Sequence, residues 1–371
     1  MTEERPFVDP GGLVAFWQEQ YLRAYVAEGG SAVKWLAGRE GSGKTTVLAE
    51  LRRASASEGY LVASVSAREV QIGRFDELYR AILADLPLDE IARLFAAEAA
   101  RRAGAGDFRP GVDGDLEAHL LAQGRPPAAV AADLAGALDF LYEGRNIASP
   151  VASALRHIAA AALRPGIDQD ARRETASTWL MGGKVSATER RRAGIGMALD
   201  RYGAREVLRS LLYANRLVGG KGLIVTIDDI DALLGGQGPV RYTPLRRDDA
   251  FEAMRELIDE GAAMPGLFVL FAGRPQIFSD ERLGLRSYPA LAMRVEPEVR
   301  SSMPNPYEDL RDLDDIWRQD WPSWRAKLLA AYGSAGHETV ESQALFAMGP
   351  ISPVKLLVEA IQATGGGAYG A

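Results

Sequence analysis

The chain has 371 residues, 47% of them hydrophobic and 25% charged, enough apolar content to bury a sizeable core in one elaborated domain or two smaller ones. Its lack of cysteine excludes disulfides, thiolate metal sites and cysteine nucleophiles, and His119, His157 and His337 are too scattered to suggest a histidine metal cluster. A formal net charge of −7 argues against a protein that coats nucleic acid non-specifically; with no bilayer-length apolar run and no secretory signal, a cytoplasmic location without membrane contact is expected.

In chain order, Ala32-Val33-Lys34-Trp35-Leu36-Ala37 reads as a short, mostly apolar strand, and Thr46 to Arg53 has helical spacing. Between them, Gly38-Arg39-Glu40-Gly41-Ser42-Gly43-Lys44-Thr45 fits G-x-x-x-x-G-K-[ST] at every constrained position. The glycines let backbone N–H groups close around phosphate oxygens, Lys44 can reach the outer phosphates, and the Thr45 hydroxyl can ligate Mg²⁺. A purine nucleoside triphosphate, ATP, is the implied ligand. Gly38, Glu40, Gly41, Ser42, Gly43, Lys44, Thr45 and Thr46 are the expected nucleotide-binding residues. An accidental glycine-rich turn is disfavoured by the strand, loop and helix order; a loop that binds nucleotide without hydrolysing it is the stronger alternative.

Gly59 to Ser66 reads as a second strand and Phe75 to Leu83 as an amphipathic helix. From there to about Val218 the pattern is helical and alanine-rich, punctuated by Gly104-Ala105-Gly106, Pro126-Pro127, Pro150, Pro165-Gly166 and Gly182-Gly183. Such an insertion suits close helix packing, as a structural subdomain or a partner surface. Within it, Ser186 and Glu189 have capping-box spacing, which predicts a helix start with Arg190, Arg191 and Arg192 exposed. Those arginines, with Arg172-Arg173 and Arg246-Arg247, are the local basic runs; each is short, and a solvated helix face is the ordinary account of such runs.

Leu223-Ile224-Val225-Thr226-Ile227 has the near-continuous aliphatic character of a strand buried on both faces, and Asp228-Asp229 follow at its C-terminal end, where open α/β sheets place ligands. This is a Walker B pattern, with Asp228 expected to hold Mg²⁺ through water and Asp229 to orient the attacking water. Gly235 to Pro239 breaks the chain, Asp248 to Glu260 reads as a helix, and Gly266 to Arg274 as another buried strand. In AAA+-type ATPases the strand beside Walker B ends in a polar residue that senses phosphate. Gly273 has no side chain for that role, which leaves Arg274, with Arg286 and Arg294 as further arginines able to face phosphate in cis or from a neighbouring subunit. Leu313 to Ala363 reads as helices, with a start at Ser352-Pro353, and Gly365 to Ala371 as a flexible tail.

Taken together, the segments Leu36 to Leu51, Phe75 to Leu83, Trp179 to Ile195, Leu217 to Asp231 and Phe271 to Arg294 resemble the BREX-system ATP-binding domain family, which is AAA+-like and belongs to bacterial phage-defence gene clusters. The resemblance implies an α/β P-loop NTPase: a parallel sheet sandwiched by helices, with a large helical insertion and a small C-terminal helical lid. The expected parts are residues 1–84 and 219–300 for the core, 85–218 for the insertion and 301–371 for the lid and tail. It further implies an ATPase using ATP and Mg²⁺, with Asp229, Lys44, Arg274 and Arg294 as catalytic candidates and Thr45 and Asp228 on the metal. Other defence proteins, a helicase among them, are the expected partners, with homo-oligomers and DNA left open. Two positions depart from the family: Asp229 stands where Glu is usual, and Pro353-Val354-Lys355 where Pro-Arg is usual. A nucleotide-gated switch with little hydrolysis is therefore the competing function, and a DNA-acting motor or loader, disfavoured by the acidic charge, the third.

Overall fold

The computed structural model describes residues 7–144, 146–235, 238–296, 307–332 and 351–365, with the backbone alone described for residues 167, 332 and 360–365. His337, residues 333–350 of the lid stretch, Gly236 and Gln237 of the break after Walker B, and the tail beyond Gly365 lie outside the described residues. The described parts of Met1–Gly73, Ile224–Gly261 and Leu267–Ala371 pack as one unit, and Arg74–Leu223 with Ala262–Gly266 as another.

The first unit is built on a parallel five-stranded sheet: β1 (Ala32–Ala37), β2 (Leu61–Ser66), β3 (Leu223–Asp228), β4 (Leu267–Gly273) and β5 (Leu310–Asp312), in the spatial order β2-β3-β4-β1-β5. The two most apolar runs occupy interior places. Every residue of β4 is buried, as is every residue of β3 before Asp228. That is what strands covered on both faces require. In β1, Ala32 to Ala37 pair in register with Phe268 to Gly273, so the two strands end together. β5 is a three-residue edge strand beside Trp35 to Ala37. It lies at residues expected to begin the helical lid; three residues are too few for any periodicity to show.

The helix Lys44–Ser57 follows β1 directly, burying Val47, Leu48, Leu51 and Ala54 on one face. Val47, Leu48 and Leu51 join Leu36, Phe268, Leu270 and Ala272 of the sheet in one apolar cluster. Each such fully buried branched side chain contributes about 1.5–3 kcal/mol. The same cluster takes in an element with no counterpart in the sequence reading: the helical run Leu13–Trp17, which continues as a π-wound segment, Gln18–Val26, and buries Trp17, Leu22 and Val26. Trp35 of β1 stacks on Phe271 of β4 at 4.4 Å between ring centroids, nearly parallel.

The second unit is helical. Its chief helices are Phe75–Ala84, Leu88–Arg102, Ser149–Leu163, Ile167–Leu180 and Arg201–Leu217. Phe75–Ala84, expected to close the core, packs here against Arg201–Leu217. Alanines make close approach cheap: Ala92, Ala96, Ala99 and Ala100 of one helix are buried, as are Ala152, Ala154, Ala159 and Ala161 of the helix Ser149–Leu163 packed on it. Trp179 fills the interior and donates its indole N–H to the Met197 carbonyl at 3.0 Å, so its polar atom is not stranded. The Ser186–Glu189 capping box is formed in both directions, at 3.2 Å and 3.0 Å, and starts the short helix Ala187–Arg192.

Candidate functional site

All the groups described next belong to the sheet-bearing unit. The loop between β1 and the helix Lys44–Ser57 turns through Gly41 and Gly43, with φ of +74° and +100°. Only glycine takes up such angles without strain. A side chain at Gly41 would also collide with Lys355, whose side-chain carbons lie 2.3 Å from where its Cβ would be. Backbone N–H groups of such a glycine loop and a helix N-terminus behind it are suited to an anion.

Lys44 reaches over this loop and donates to the carbonyls of Gly38 and Arg39 at 2.7 and 3.0 Å. Burial lowers its pKa from the ordinary lysine value, and the negative charges of Asp228, Asp231 and Asp314 work the other way. At the C-terminal end of β3, Asp228 accepts a hydrogen bond from the Thr45 hydroxyl at 2.7 Å. Burial raises the Asp228 pKa, while the Thr45 hydroxyl and the Asp229 N–H oppose the shift. A hydroxyl and a carboxylate in contact beside a phosphate loop are the donor set that Mg²⁺ takes up, since it keeps several waters and binds through one or two protein oxygens plus phosphate. The buried, destabilised Asp228 carboxylate would gain from a cation. Among the described residues no group of three or more acidic or histidine side chains could hold a metal by itself, and this kind of site does not call for one.

Asp229 has φ +60° and is the one non-glycine residue with positive φ among the described residues. Aspartate tolerates that region better than most side chains, and such conformations concentrate at functional sites. Its carboxylate is held on both oxygens: Ser66 donates to one at 3.1 Å, and the Arg68 guanidinium lies 3.1 Å from the other. Arg68 also lies 3.9 Å from Asp231. Ser66 and Arg68 had no role in the sequence reading. Their position at the end of β2, the neighbour of β3, was the available signal.

Arg274 is brought to the site. Its guanidinium lies 3.5 Å from Asp231 and 3.7 Å from Glu40, and its backbone N–H donates to Asp231 at 3.2 Å. Lys355, at the start of the helix Pro353–Gly365, donates to Glu40 at 2.8 Å. Glu40 is thereby held below the usual carboxylate pKa, chiefly by that bond and the lysine charge. The Ser352 N–H donates to the Glu40 carbonyl at 2.9 Å, and Glu40 bridges Ile351 in the manner of parallel strands. The segment after β5 supports the loop from another side. Buried Asp314 accepts from the Arg39 N–H at 2.6 Å, and the Trp317 indole N–H donates to the Ser42 carbonyl at 2.9 Å. No sequence signal connects Asp314 to a loop some 270 positions earlier. A cavity of about 220 Å³ adjoins Gly41, Ser42, Gly43 and Thr46, walled by Val8, Val47, Trp317, Leu328, Val354 and Val358.

Arg294 is not brought to the loop. It pairs with Asp259 at 2.5 and 3.0 Å and borders a cavity lined by Ser31 and Ala32, where β1 begins. The loop leaves the other end of β1, about 20 Å away at some 3.3 Å per residue. A contribution by Arg294 to its own chain's phosphate site is therefore set aside. Arg286 is likewise occupied elsewhere, with Glu296 at 2.6 Å.

No helix among the described residues is long and apolar enough to cross a membrane. Comparison with curated proteins and with solved structures gives no match. The family model described as BREX system ATP-binding protein BrxC/D matches residues 20–97 and 122–338, most of the chain and all of the strands. With its phosphate-type loop and the acidic end of β3 beside it, the chain belongs to that family of BREX system ATP-binding proteins.

Proposed function

We propose that the protein is a Mg²⁺-dependent ATPase of a phage-defence system, using nucleotide binding and hydrolysis to govern its assembly with other proteins of the system. Family membership supports nucleotide binding and a role in defence. The observation that carries the catalytic reading is the 2.7 Å contact between Thr45 and Asp228, which joins the phosphate loop to the acidic end of β3 within reach of Lys44.

In this reading the loop N–H groups and Lys44 take the β- and γ-phosphates, Lys44 exchanging two loop carbonyls for phosphate oxygens. The walls of the adjoining cavity receive the adenosine end. Thr45 and Asp228 would hold Mg²⁺, which when bound supplies positive charge to the phosphates. Asp229 orients water for attack on the γ-phosphorus and accepts its proton as the bond to ADP breaks, releasing phosphate. Arg274, anchored between Glu40 and Asp231, is placed to meet charge developing on the γ-phosphate.

Equilibrium binding and turnover of ATP test the proposal. Lys44→Ala should abolish binding, and Asp229→Ala should keep binding while turnover falls at least a hundredfold, the scale on which a positioned catalytic group acts. Asp229→Ala turnover equal to wild type would sink the assignment.

One observation favours a nucleotide-gated switch as the second reading. Both oxygens of Asp229 are already engaged, by Ser66 and Arg68, which leaves an attacking water only their remaining lone pairs and a carboxylate held between two partners. On this reading, partner binding would respond alike to ATP and a non-hydrolysable analogue.

A further inference from the structure

A sizeable cavity lies in the helical unit and has no part in the ATPase reading. It encloses about 640 Å³ among the helices Ser149–Leu163 and Ile167–Leu180 and the segment that ends in Gly194. That volume falls in the range of small-molecule sites.

Its lining is unusual in charge. Arg156, Arg164, Arg172 and Arg192 converge on it, together with His157, while Glu117 is the one carboxylate lining it among the described residues. Arg164 is committed to Glu117 and lies 3.8 Å from Asp115. Arg156 has a distant partner, Asp139 at 3.9 Å. Arg172 and Arg192 have no salt bridge among the described residues. Two of the short basic runs noted in the sequence, at Arg172 and Arg192, are thus gathered into one concave site with Arg156, although they lie on different helices. His157 reports the field they create. Burial first, and then the charges of Arg172 and Arg156, depress its pKa against the opposing pull of the Ala193 carbonyl, which it contacts at 3.1 Å.

Gln169 and Ser153 apart, the rest of the wall is largely apolar. Leu134, Leu138, Leu163 and Ala160 face the same space, and the Tyr142 ring, its hydroxyl 3.0 Å from Ser153, sits at the edge. Planar guanidinium forks match phosphate oxygens in pairs. A phosphate on the arginines with a flat organic body against the leucines and Tyr142 would use both halves of the lining.

We propose that this cavity is a second ligand site, separate from the P-loop, for a small phosphate-bearing molecule of mononucleotide size. It would make the helical unit a receptor for a soluble anionic signal rather than a purely structural insertion.

The test uses the full chain with its P-loop saturated by Mg²⁺ and a non-hydrolysable ATP analogue. AMP is titrated calorimetrically in one arm and inorganic pyrophosphate in the other. One further equivalent of AMP should bind, and pyrophosphate more weakly because it lacks the ring. Arg156→Gln with Arg172→Gln should weaken AMP binding at least tenfold while affinity for the ATP analogue and the circular dichroism spectrum stay unchanged. Arg192→Gln alone, on an exposed side chain of another helix, should weaken it severalfold and decides the matter if the double variant does not fold. Lys44→Ala, without the analogue, should retain AMP binding in full. The proposal is overturned if wild type takes up neither probe, or if AMP binding persists undiminished in the arginine variants. Binding of single-stranded oligonucleotide through the same arginines, with none of AMP, would overturn it in favour of nucleic acid.

Discussion

Asp228 and Asp312 are both partly buried carboxylates near the phosphate loop, but they serve different ends. Asp228 has the Thr45 hydroxyl against it, the contact expected of a metal-holding pair. Asp228→Asn removes the anion and keeps the shape, so Mg²⁺ should no longer tighten ATP binding; calorimetry with and without the metal reads this as a loss of at least tenfold. Asp312 caps the helix Leu313–Gln319, with its pKa raised to about 6 by burial and by the charges of Asp315 and Asp314. The folded state therefore keeps the Asp312 proton longer than the unfolded chain, whose aspartates titrate near the ordinary value of about 3.9. Stability is unaffected by this group below that value, falls as pH rises through the interval, and bears the whole cost above about pH 6. Asp312→Asn keeps the cap, since asparagine caps as well, and should raise stability above pH 6 by about 1–2 kcal/mol with no change near pH 4; urea melts across that range check it. Asp229 poses a third case. Glutamate there would lengthen the reach of the carboxylate, but at φ +60° it fits less well than aspartate. Asp229→Glu should lower the thermal midpoint by a few degrees, the effect of about 1 kcal/mol in a domain of this size, and any gain in turnover would show that side-chain length limits the native site.

Among the elements, the strands show how far pattern reaches. β1, β3 and β4 fall within a residue or two of the segments read from apolar runs, because a strand covered on both faces is largely apolar, and the edge strand β2 within two residues of the segment read from its glycine turn and β-branched residues. β5 and the π-wound segment Gln18–Val26 carry no such mark. The first is too short for a period, and the second departs from the 3.6-residue repeat on which helix reading depends. The helix Pro353–Gly365 was legible from Ser352-Pro353, but its seat on the phosphate loop was not; that rests on Glu40 meeting Lys355 and on the glycine at 41 leaving room for the lysine stem. Because the Glu40–Lys355 pair is exposed, Lys355→Ala should scarcely alter the melting temperature. It should instead speed ATP-analogue dissociation severalfold by releasing the loop from its support, a difference that stopped-flow displacement would detect.

For the molecule as a whole, the question is what completes the phosphate site. Arg274 is at hand and already tied to Glu40 and Asp231, whereas Arg294 lies at the opposite end of β1. A site with no untied arginine of its own among the described residues gains one when a neighbouring copy supplies it, so ATP turnover per subunit should rise with protein concentration. Arg294→Ala should abolish that rise without changing the rate at high dilution; a rate independent of concentration would mean that the site is complete in the single chain. The P-loop, the acidic end of β3 and the family resemblance were open to reading from the sequence alone, because phosphate binding imposes glycines and a lysine at fixed local spacing and a buried parallel strand imposes an aliphatic run. Which side chains meet there was a matter for the tertiary structure. Arg68, Asp314 and Lys355 come to the loop from distant strand ends and helix starts, and the four arginines of the helical unit share a cavity only once their helices are packed. Such meetings are set by sheet order and helix packing, which act through space and leave no spacing in the chain to be read.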